Sequence, residues 1–487
     1  MGKEYVELHP ATETESAAAR NGTGGSAPSP TPPVPNPQFL TPDPFSVDFL
    51  LQRLSVTCKP LAVSCEPPPD WAAALALADR HGLTPLLYKR LKQSDAQVSV
   101  PTDAWKRLRR AYLVSAARNT RLFRELRAVL QRLRGSGVTA VALKGAFLAE
   151  EVYGDIALRP MVDVDLLVRE ADLGRAQAIL LDMSGVQKQS EEIESRCKRN
   201  PHLPQVVVHD LAVEIHWTIA PPAGPVRVDA AGLWNRVRPA KIADVDVLTL
   251  SPEDLLLHLC LHAAYSESLG AGLRPFCDIA ETIHHFRRGA DPEVGHGTTE
   301  LTENWSVRNE PRPSSISVLS MVSGVDPVSV PGVDWRQVIE RAREWHASRY
   351  VGLALHSAYR VLGAEVPEDV LEQLVPGGLE RRVFEAAKQA VLTRTGYGQW
   401  QPFFDATHAK TLADKARLSW RRVFLSRDEM AEVYPASRNS RHLRFYYALR
   451  IGHVIGAYAT HTLRRARLML GRGRDLQADL VRWLSER

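Results

Sequence analysis

Two carboxylates separated by one apolar residue are the first feature of the sequence that could do chemistry. Asp163 and Asp165 lie in the run Asp-Val-Asp-Leu-Leu-Val, whose β-branched and aliphatic residues predict a strand. Side chains alternate along a strand, so both carboxylates should point from one face at one end. Such a pair predicts a site for a hard divalent cation, which binds through one or two carboxylates together with substrate phosphates.

A third carboxylate is expected on a neighbouring strand. The segment from Val206 to Trp217 predicts a hairpin that turns at His209-Asp210, and its second strand places Glu214 and His216 on one face. Three carboxylates could surround two ions, an arrangement that stabilises the attacking and leaving oxygens in an in-line phosphoryl displacement. The imidazole could orient an acceptor hydroxyl, accept its proton, or support the carboxylate beside it.

The turn at Lys144-Gly145 lies between a short apolar strand and a predicted helix from Ala146 to Tyr153. Backbone N–H groups and the positive end of the dipole at a helix start are suited to phosphate. Lys144 is therefore a candidate phosphate ligand, and the alternative is a surface lysine beside a tight turn.

Arg159 precedes the strand of the two aspartates and is the second candidate phosphate ligand. Its alternative role is a salt bridge to Asp155 or Glu151. Asp278 lies far along the chain and could reach the mouth of the same site.

Together these motifs resemble the bacterial uncharacterised nucleotidyltransferase family, a branch of the DNA polymerase β nucleotidyltransferase superfamily. The motifs that carry the resemblance are Leu143-Lys144-Gly145, Tyr153, Arg159, Asp163-Val164-Asp165 and Glu214-Ile215-His216-Trp217, with flanking helical segments from Trp71 to Leu91 and from Leu255 to Asp278. The resemblance extends over roughly residues 45–430. In the superfamily Gly or Ser commonly follows the glycine, whereas here Ala146 does, so no hydroxyl contact to a γ-phosphate is expected there.

The resemblance implies a metal-dependent transfer of a nucleoside monophosphate from a nucleoside triphosphate to an acceptor hydroxyl, with release of pyrophosphate. Asp163, Asp165 and Glu214 would hold two Mg²⁺ ions, with Mn²⁺ as an alternative. Lys144, Gly145 and Arg159 would bind the nucleotide, for which ATP is the first choice because it is abundant. The acceptor stays open among a small molecule, a peptide, a protein and an RNA end.

We predict an α+β protein with a small mixed sheet between helical regions. The nucleotidyltransferase core is placed at residues 136–250, with helical regions at 46–135 and 251–487. Residues 1–45 are rich in Gly, Ser, Thr and Pro and predict a disordered tail, and residues 289–332 predict a flexible insertion.

The helix that is expected to begin after Ser251 carries His258 and His262 four residues apart. This spacing could supply half of a metal site. Because leucines surround both residues, we interpret them as packed or hydrogen-bonded histidines.

Composition is that of an ordinary globular protein, with 24% charged and 44% hydrophobic residues among 487. The five cysteines are scattered without a Cys-x-x-Cys pair, so neither a disulfide framework nor a structural zinc site is indicated. No signal-peptide core and no spanning apolar run are recognised, and a cytoplasmic location is expected.

From His408 onward the chain is basic, with 17 Lys and Arg against 7 Asp and Glu. Three interpretations stay open: helices with solvated arginine faces, a surface for nucleic acid or an acidic partner, and peripheral membrane contact through Ile451 to Leu470.

Two other functions are alternatives to nucleotide transfer. A glycosyltransferase also uses Asp-x-Asp, but it needs a longer nucleotide-binding α/β unit before the motif, and helix precedes it here. A nucleotide-binding regulatory protein without turnover, such as one half of a toxin–antitoxin pair, is disfavoured because all three carboxylates are present.

Overall fold

The computed structural model describes residues 43–56, 70–93, 99–185, 200–222, 224–290, 332–394, 430, 445, 447–452 and 476–485. The helices before the last strand are α1 (Pro44–Leu54), α2 (Trp71–Arg80), α3 (Thr84–Gln93), α4 (Thr102–Gly135), α5 (Lys144–Phe147), α6 (Leu173–Ser184) and α7 (Ala230–Arg236). The later helices are α8 (Pro252–Leu261), α9 (Arg274–Ala290), α10 (Trp335–Glu344), α11 (Ser348–Leu362), α12 (Glu368–Leu374), α13 (Arg381–Thr393) and α14 (Leu476–Ser485). Two π-helices, Leu148–Val152 and His262–Ser266, and a 3₁₀ turn, Glu170–Asp172, are also present.

One mixed sheet lies between the helices. Its strands are β1 (Ala140–Ala142), β2 (Asp163–Val168), β3 (Val206–Val208), β4 (Leu211–His216), β5 (Arg238–Ile242) and β6 (Val245–Thr249), in the order β3-β4-β2-β1-β6-β5. The pairs β2–β4 and β1–β6 are parallel, and the other neighbours are antiparallel. The predicted α+β class, a small mixed sheet flanked by helical regions, is confirmed.

The long helix α4 supports the sheet. It packs against β1, β4 and β6, while α6 packs against β3 and β4. The residues that α4 buries recur at helical spacing, as predicted, and include Leu122, Leu126, Val129, Leu130 and Leu133. Downstream of the sheet, α8 packs against α9, α10 and α11, and also against α5.

A single hydrophobic core joins the sheet to the helices on both sides. Leu50 of α1, Leu126 of α4, Leu166 of β2, Leu256 of α8 and Leu355 of α11 all belong to it and are almost fully buried. The division into regions at 46–135, 136–250 and 251–487 stays a prediction about sequence organisation.

Several element ends follow the local signals in the sequence. The Asp70 carboxylate accepts hydrogen bonds from the N–H groups of Ala72 and Ala73 at the start of α2, and Ser251 Oγ accepts one from Asp254 N at the start of α8. The predicted hairpin is present, and His209 at its turn has a φ of 52°. Side chains of Asp, Asn, Ser and Thr cap helices through hydrogen bonds to backbone N–H groups within four residues. The sequence alone therefore locates these caps.

The first helix begins earlier than predicted. The run Asp48-Phe49-Leu50-Leu51 predicts a helix start at Asp48, whereas α1 begins at Pro44. Asp43 caps it, because its carboxylate accepts a hydrogen bond from Ser46 N at 2.8 Å, and proline is well tolerated at the first helical position.

The helical pattern from Trp335 to Leu362 predicts one helix, whereas the structure has two, α10 and α11. The break falls at Trp345, His346 and Ala347, and His346 has a φ of 54°. The buried Trp345 carbonyl accepts a hydrogen bond from Arg227 N at 2.8 Å, so a contact with a distant segment satisfies the freed backbone group. No Gly or Pro marks this break in the sequence.

Three sequence predictions fall mostly outside the described residues. These are the tail at 1–45, the insertion at 289–332, and the basic region from His408 with its predicted helix at Leu412 to Leu425. A search of the described part of the chain found no helix with the length and apolarity that crossing a bilayer requires.

Acid is expected to destabilise the fold through His81. Its Nδ1 accepts a hydrogen bond from Leu273 N at 3.2 Å, and burial lowers the pKa of its imidazole from 6.5 to about 3. Below pH 6.5 the His81 imidazole therefore binds a proton in the unfolded chain but stays neutral in the folded chain. The free energy of unfolding consequently falls as pH decreases from 6.5 towards 3. Urea unfolding between pH 7.5 and 4.5 should show a slope that His81→Asn reduces by up to about 1.4 kcal/mol per pH unit. Equal slopes for both proteins would contradict this assignment.

Candidate functional site

The parallel strands β2 and β4 bring two carboxylates side by side. Asp165 is in register with Glu214, and Asp163 with Ala212. Both Asp165 and Glu214 are buried, at 3% and 5% exposure. Isolated buried carboxylates are costly, so this pair requires cations, protons or hydrogen-bond donors close by.

Two basic side chains approach the two oxygens of Asp165. His216 Nε2 lies 2.9 Å from Oδ1 and 3.7 Å from Glu214 Oε2. Lys144 Nζ lies 3.0 Å from Oδ2. Although burial acts to raise the pKa of Asp165, the Lys144 ammonium and the His216 imidazole outweigh burial and lower it well below its usual value. Asp165 is therefore an anion at neutral pH.

The imidazole of His216 responds to the same contacts. Burial acts to lower its pKa, but hydrogen bonds to Asp165 and Glu214 outweigh burial and raise the pKa above its usual value. The sequence left open whether His216 acts on the acceptor or supports Glu214. In the structure its shorter contact is to Asp165, on the neighbouring strand.

The donor set suits a divalent cation. Asp165, Glu214 and His216 each offer one ligand atom, and these atoms lie within 4.8 Å of one another. Asp165 Oδ2 is buried, and its close neighbour is Lys144 Nζ at 3.0 Å. Two carboxylate oxygens and one imidazole nitrogen could hold Mg²⁺ or Mn²⁺, and the imidazole favours the transition metal.

Asp163 stands apart from this group of three. It is the first residue of β2, is half-buried, and shares the face of Asp165 through strand alternation. Asp163 as a metal ligand stays a prediction.

The turn at Lys144-Gly145 ends β1 beside the start of β2. The predicted helix from Ala146 to Tyr153 is instead one α-helical turn, α5, followed by the π-helix Leu148–Val152. Leu143 N donates a hydrogen bond to the Asp165 carbonyl oxygen at 3.1 Å, which holds the turn against β2. Through this pairing, backbone geometry fixes the position of Lys144 relative to Asp165.

Gly145→Ala is expected to leave the fold stable and weaken nucleotide binding about tenfold or more, because a methyl group in an occupied site costs ~1–3 kcal/mol. A Cβ atom at Gly145 would lie 3.5 Å from the Asp163 carbonyl oxygen and 3.7 Å from Arg159 Nη1, which are ordinary contacts. Protein packing therefore does not demand glycine here.

Gly135→Ala is the matched control, because a Cβ atom there meets nothing within 4 Å. Urea unfolding and equilibrium nucleotide binding would be measured for both variants. Unchanged nucleotide affinity of Gly145→Ala would show that no ligand approaches this turn closely.

Arg159 makes a buried ion pair that the sequence did not predict. Its Nε and Nη2 each donate to Asp278 at 2.9 Å, and Tyr153 Oη donates to the same carboxylate at 2.9 Å. Burial acts to lower the pKa of Arg159, but Asp278 outweighs it, with a smaller contribution from Asp163, and the pKa is raised. The structure therefore pairs Arg159 with Asp278 of α9, whereas the sequence suggested a salt bridge to Asp155 or Glu151.

The Asp155 carboxylate has other hydrogen-bond partners. Its carboxylate accepts hydrogen bonds from Tyr112 Oη at 2.8 Å and from Ala157 N at 3.0 Å. Asp278, which we placed at the mouth of the site, is 3% exposed and lies against Arg159. Nucleotide binding by Arg159 stays a prediction, and Nη1 is the guanidinium nitrogen directed towards Gly145.

Three histidines beside the site were not assigned to it from the sequence. The His202 ring lies 5.0 Å from the His216 ring, and His202 Nδ1 lies 3.9 Å from Glu214 Oε2. His258 and His262 lie close enough to Lys144 and Asp165 for those charges to affect their pKa values. The four-residue spacing of the latter pair was visible in the sequence, but which side of α8 faces the site was not.

Comparison with known proteins bears on this site. No curated protein and no solved structure matches the chain. A protein-family model does match, over residues 67–300, and this range includes every side chain of the site. In that part of its length, the chain is similar to a family described as an uncharacterised nucleotidyltransferase.

Proposed function

We propose that this protein transfers a nucleoside monophosphate from a nucleoside triphosphate to the hydroxyl group of an acceptor. The observation that carries the proposal is the buried group of Asp165, Glu214 and His216 on neighbouring parallel strands. The similarity of residues 67–300 to a nucleotidyltransferase family supports it.

The reaction forms one bond and breaks another. The acceptor oxygen bonds to the α-phosphorus, the bond from that phosphorus to the bridging oxygen of pyrophosphate breaks, and the acceptor hydroxyl loses its proton. Asp163, Asp165 and Glu214 would hold up to two divalent ions, Mg²⁺ or Mn²⁺. Bound divalent ions supply Lewis-acid stabilisation of the charge on the reacting phosphate.

The side chains of the site have separate roles in this proposal. Lys144 lies 3.0 Å from Asp165 and provides positive charge for a phosphate chain placed beside the carboxylates. His216, hydrogen-bonded to Asp165 at 2.9 Å, would orient that carboxylate and, in its neutral form, would accept the proton of the acceptor hydroxyl. Gly145 and Arg159 would complete the nucleotide contacts.

The test is incubation of the protein with Mg²⁺ or Mn²⁺, each α-³²P-labelled nucleoside triphosphate, and cell extract as the source of acceptor. Transfer of label to an extract component, with release of pyrophosphate, is the expected result, and ATP would be tried first. The size and chemistry of the labelled species then identify the acceptor class.

Two outcomes would favour another function. Nucleotide binding without label transfer or pyrophosphate release would indicate a binding protein without turnover. Transfer of sugar from a radiolabelled sugar nucleotide, without transfer of α-phosphate, would indicate a glycosyltransferase. A protein with Asp163→Ala and Asp165→Ala should be inactive in every arm.

A further inference from the structure

Two histidines lie near the site, in the helical region that follows the sheet. His258 lies in α8 and His262 begins the π-helix that continues α8, with their ring centroids 6.4 Å apart. His258 is 2% exposed, and the His262 side chain is 21% exposed. Helix α8 packs against α5, which begins with Lys144, so the element that carries His258 and leads into His262 lies beside the Lys144 turn.

The charges around the two imidazoles support this placement. The pKa of His258 is lowered to about 3, mainly by burial, while the nearby charges of Lys144 and His216 act in the same direction and Asp165 opposes them. Burial likewise lowers the pKa of His262 well below its usual value, with Lys144 again the strongest charged neighbour. Both rings are therefore neutral at physiological pH, and each has one N–H donor and one acceptor nitrogen.

His258 has an unused polar atom. Its Nδ1 is buried without a hydrogen-bond partner, which is uncommon for a side-chain nitrogen in a folded protein. His262 differs, because its Nε2 lies 3.9 Å from Glu267 Oε1. A ligand with hydrogen-bonding atoms could pair with His258 Nδ1, which lies within the influence of the Lys144 and Asp165 charges.

The backbone is irregular both at His262 and just after Lys144. His262 opens the π-helix His262–Ser266, and the other described π-helix, Leu148–Val152, follows directly on the turn that holds Lys144. π-helical turns are frequent at functional sites, where they redirect a side chain.

We propose that His258 and His262, together with Lys144, form the subsite for the phosphate chain of the nucleoside triphosphate. His258 donates its imidazole N–H to a phosphate oxygen, and Lys144 supplies the positive charge. Neutral imidazoles add hydrogen bonds without adding charge beside the cation. This inference rests on the proposed function and extends it to residues outside the sheet.

Equilibrium binding of tripolyphosphate and of a non-hydrolysable ATP analogue, each with Mn²⁺, tests the subsite. His258→Leu is expected to weaken both affinities about tenfold or more, because a hydrogen bond to a charged group is lost. His258→Asn, whose amide nitrogen can replace Nδ1, should stay within about threefold of the wild type. The expected loss in His262→Leu is of the same sign and smaller.

His356→Leu is the matched control. His356 is 6% exposed in α11, and both of its ring nitrogens are buried without partners, yet no residue of the site is among the charges that affect its pKa. It should bind both probes like the wild type. Circular dichroism and thermal unfolding show which variants fold, and if His258→Leu does not, the more exposed His262→Leu and the polar His258→Asn carry the comparison.

The outcomes separate this inference from the proposed function. Folded His258→Leu and His262→Leu proteins with wild-type affinity for both probes would overturn the subsite, and label transfer by the wild type would still support the proposed function. A wild-type protein that transfers label but does not bind tripolyphosphate would also overturn it. A wild-type protein that neither binds nor transfers a nucleotide would overturn both.

Discussion

Replacing Asp165 by asparagine is expected to lower nucleotide transfer at least about 10³-fold in a protein that still folds. Asp165 is the carboxylate at which Glu214, His216 and Lys144 meet, and it is in register with Glu214 across two parallel strands. Asparagine keeps the shape and a hydrogen-bond acceptor for His216. It removes the negative charge that pairs with Lys144 and that would hold a divalent ion.

Two measurements check this prediction. The rate of α-³²P transfer reports the reaction, and the electron paramagnetic resonance signal of free Mn²⁺ reports metal binding without any nucleotide. Asp165→Asn should lose both. Asp246→Asn is the matched control in the same sheet, because Asp246 forms an exposed pair with Arg134 at 3.0 Å and such pairs contribute little. Transfer above about a tenth of the wild-type rate in Asp165→Asn would place the chemistry elsewhere.

Arg159→Met is expected to destabilise the fold by about 3–5 kcal/mol. The side chains of Arg159 and Asp278 are 9% and 4% exposed, and two hydrogen bonds of 2.9 Å join them. Removing the guanidinium leaves a buried carboxylate without its cation, and Tyr153 alone cannot compensate for that loss. The pair connects the segment before β2 to α9.

The double variant Arg159→Met, Asp278→Leu should recover most of that loss, because replacing both partners of a buried ion pair by apolar groups is often nearly neutral. Urea unfolding of the two single variants and the double variant gives the coupling energy directly. Arg134→Met serves as the exposed control and should cost less than about 1 kcal/mol. Additive effects of the two buried substitutions would contradict the assigned pairing.

The same double variant also tests the predicted nucleotide contact of Arg159. Recovery of stability together with wild-type nucleotide affinity would limit Arg159 to positioning the loop. Recovery of stability with weakened nucleotide affinity would support a phosphate contact through Nη1, the guanidinium nitrogen directed towards Gly145.

Local features of the fold could be predicted because they depend on neighbouring residues. The alternation in Asp163-Val-Asp165 places both carboxylates on one face, and caps such as Asp70 and Ser251 begin helices through hydrogen bonds that reach only a few residues. The hairpin turn at His209 belongs to the same class. The α+β class followed from such elements taken together.

Partners at long range could not be predicted. Arg159 pairs with Asp278, which is 119 residues away in the sequence. Likewise, His216 has its shorter contact to Asp165 on the adjacent strand. Charge and residue type allow many pairings, and only the packing of the elements selects among them.

The sequence by itself thus determined the kind of chemistry, because one short strand, one turn and one hairpin carry Asp163, Asp165, Lys144, Glu214 and His216 at readable spacings. The tertiary structure decided which of these meet and what else surrounds them. Helix α8, which carries His258 and leads into His262, lies beside the Lys144 turn because a continuous core packs α8 against α5, and no local spacing encodes which distant element a buried helix packs against.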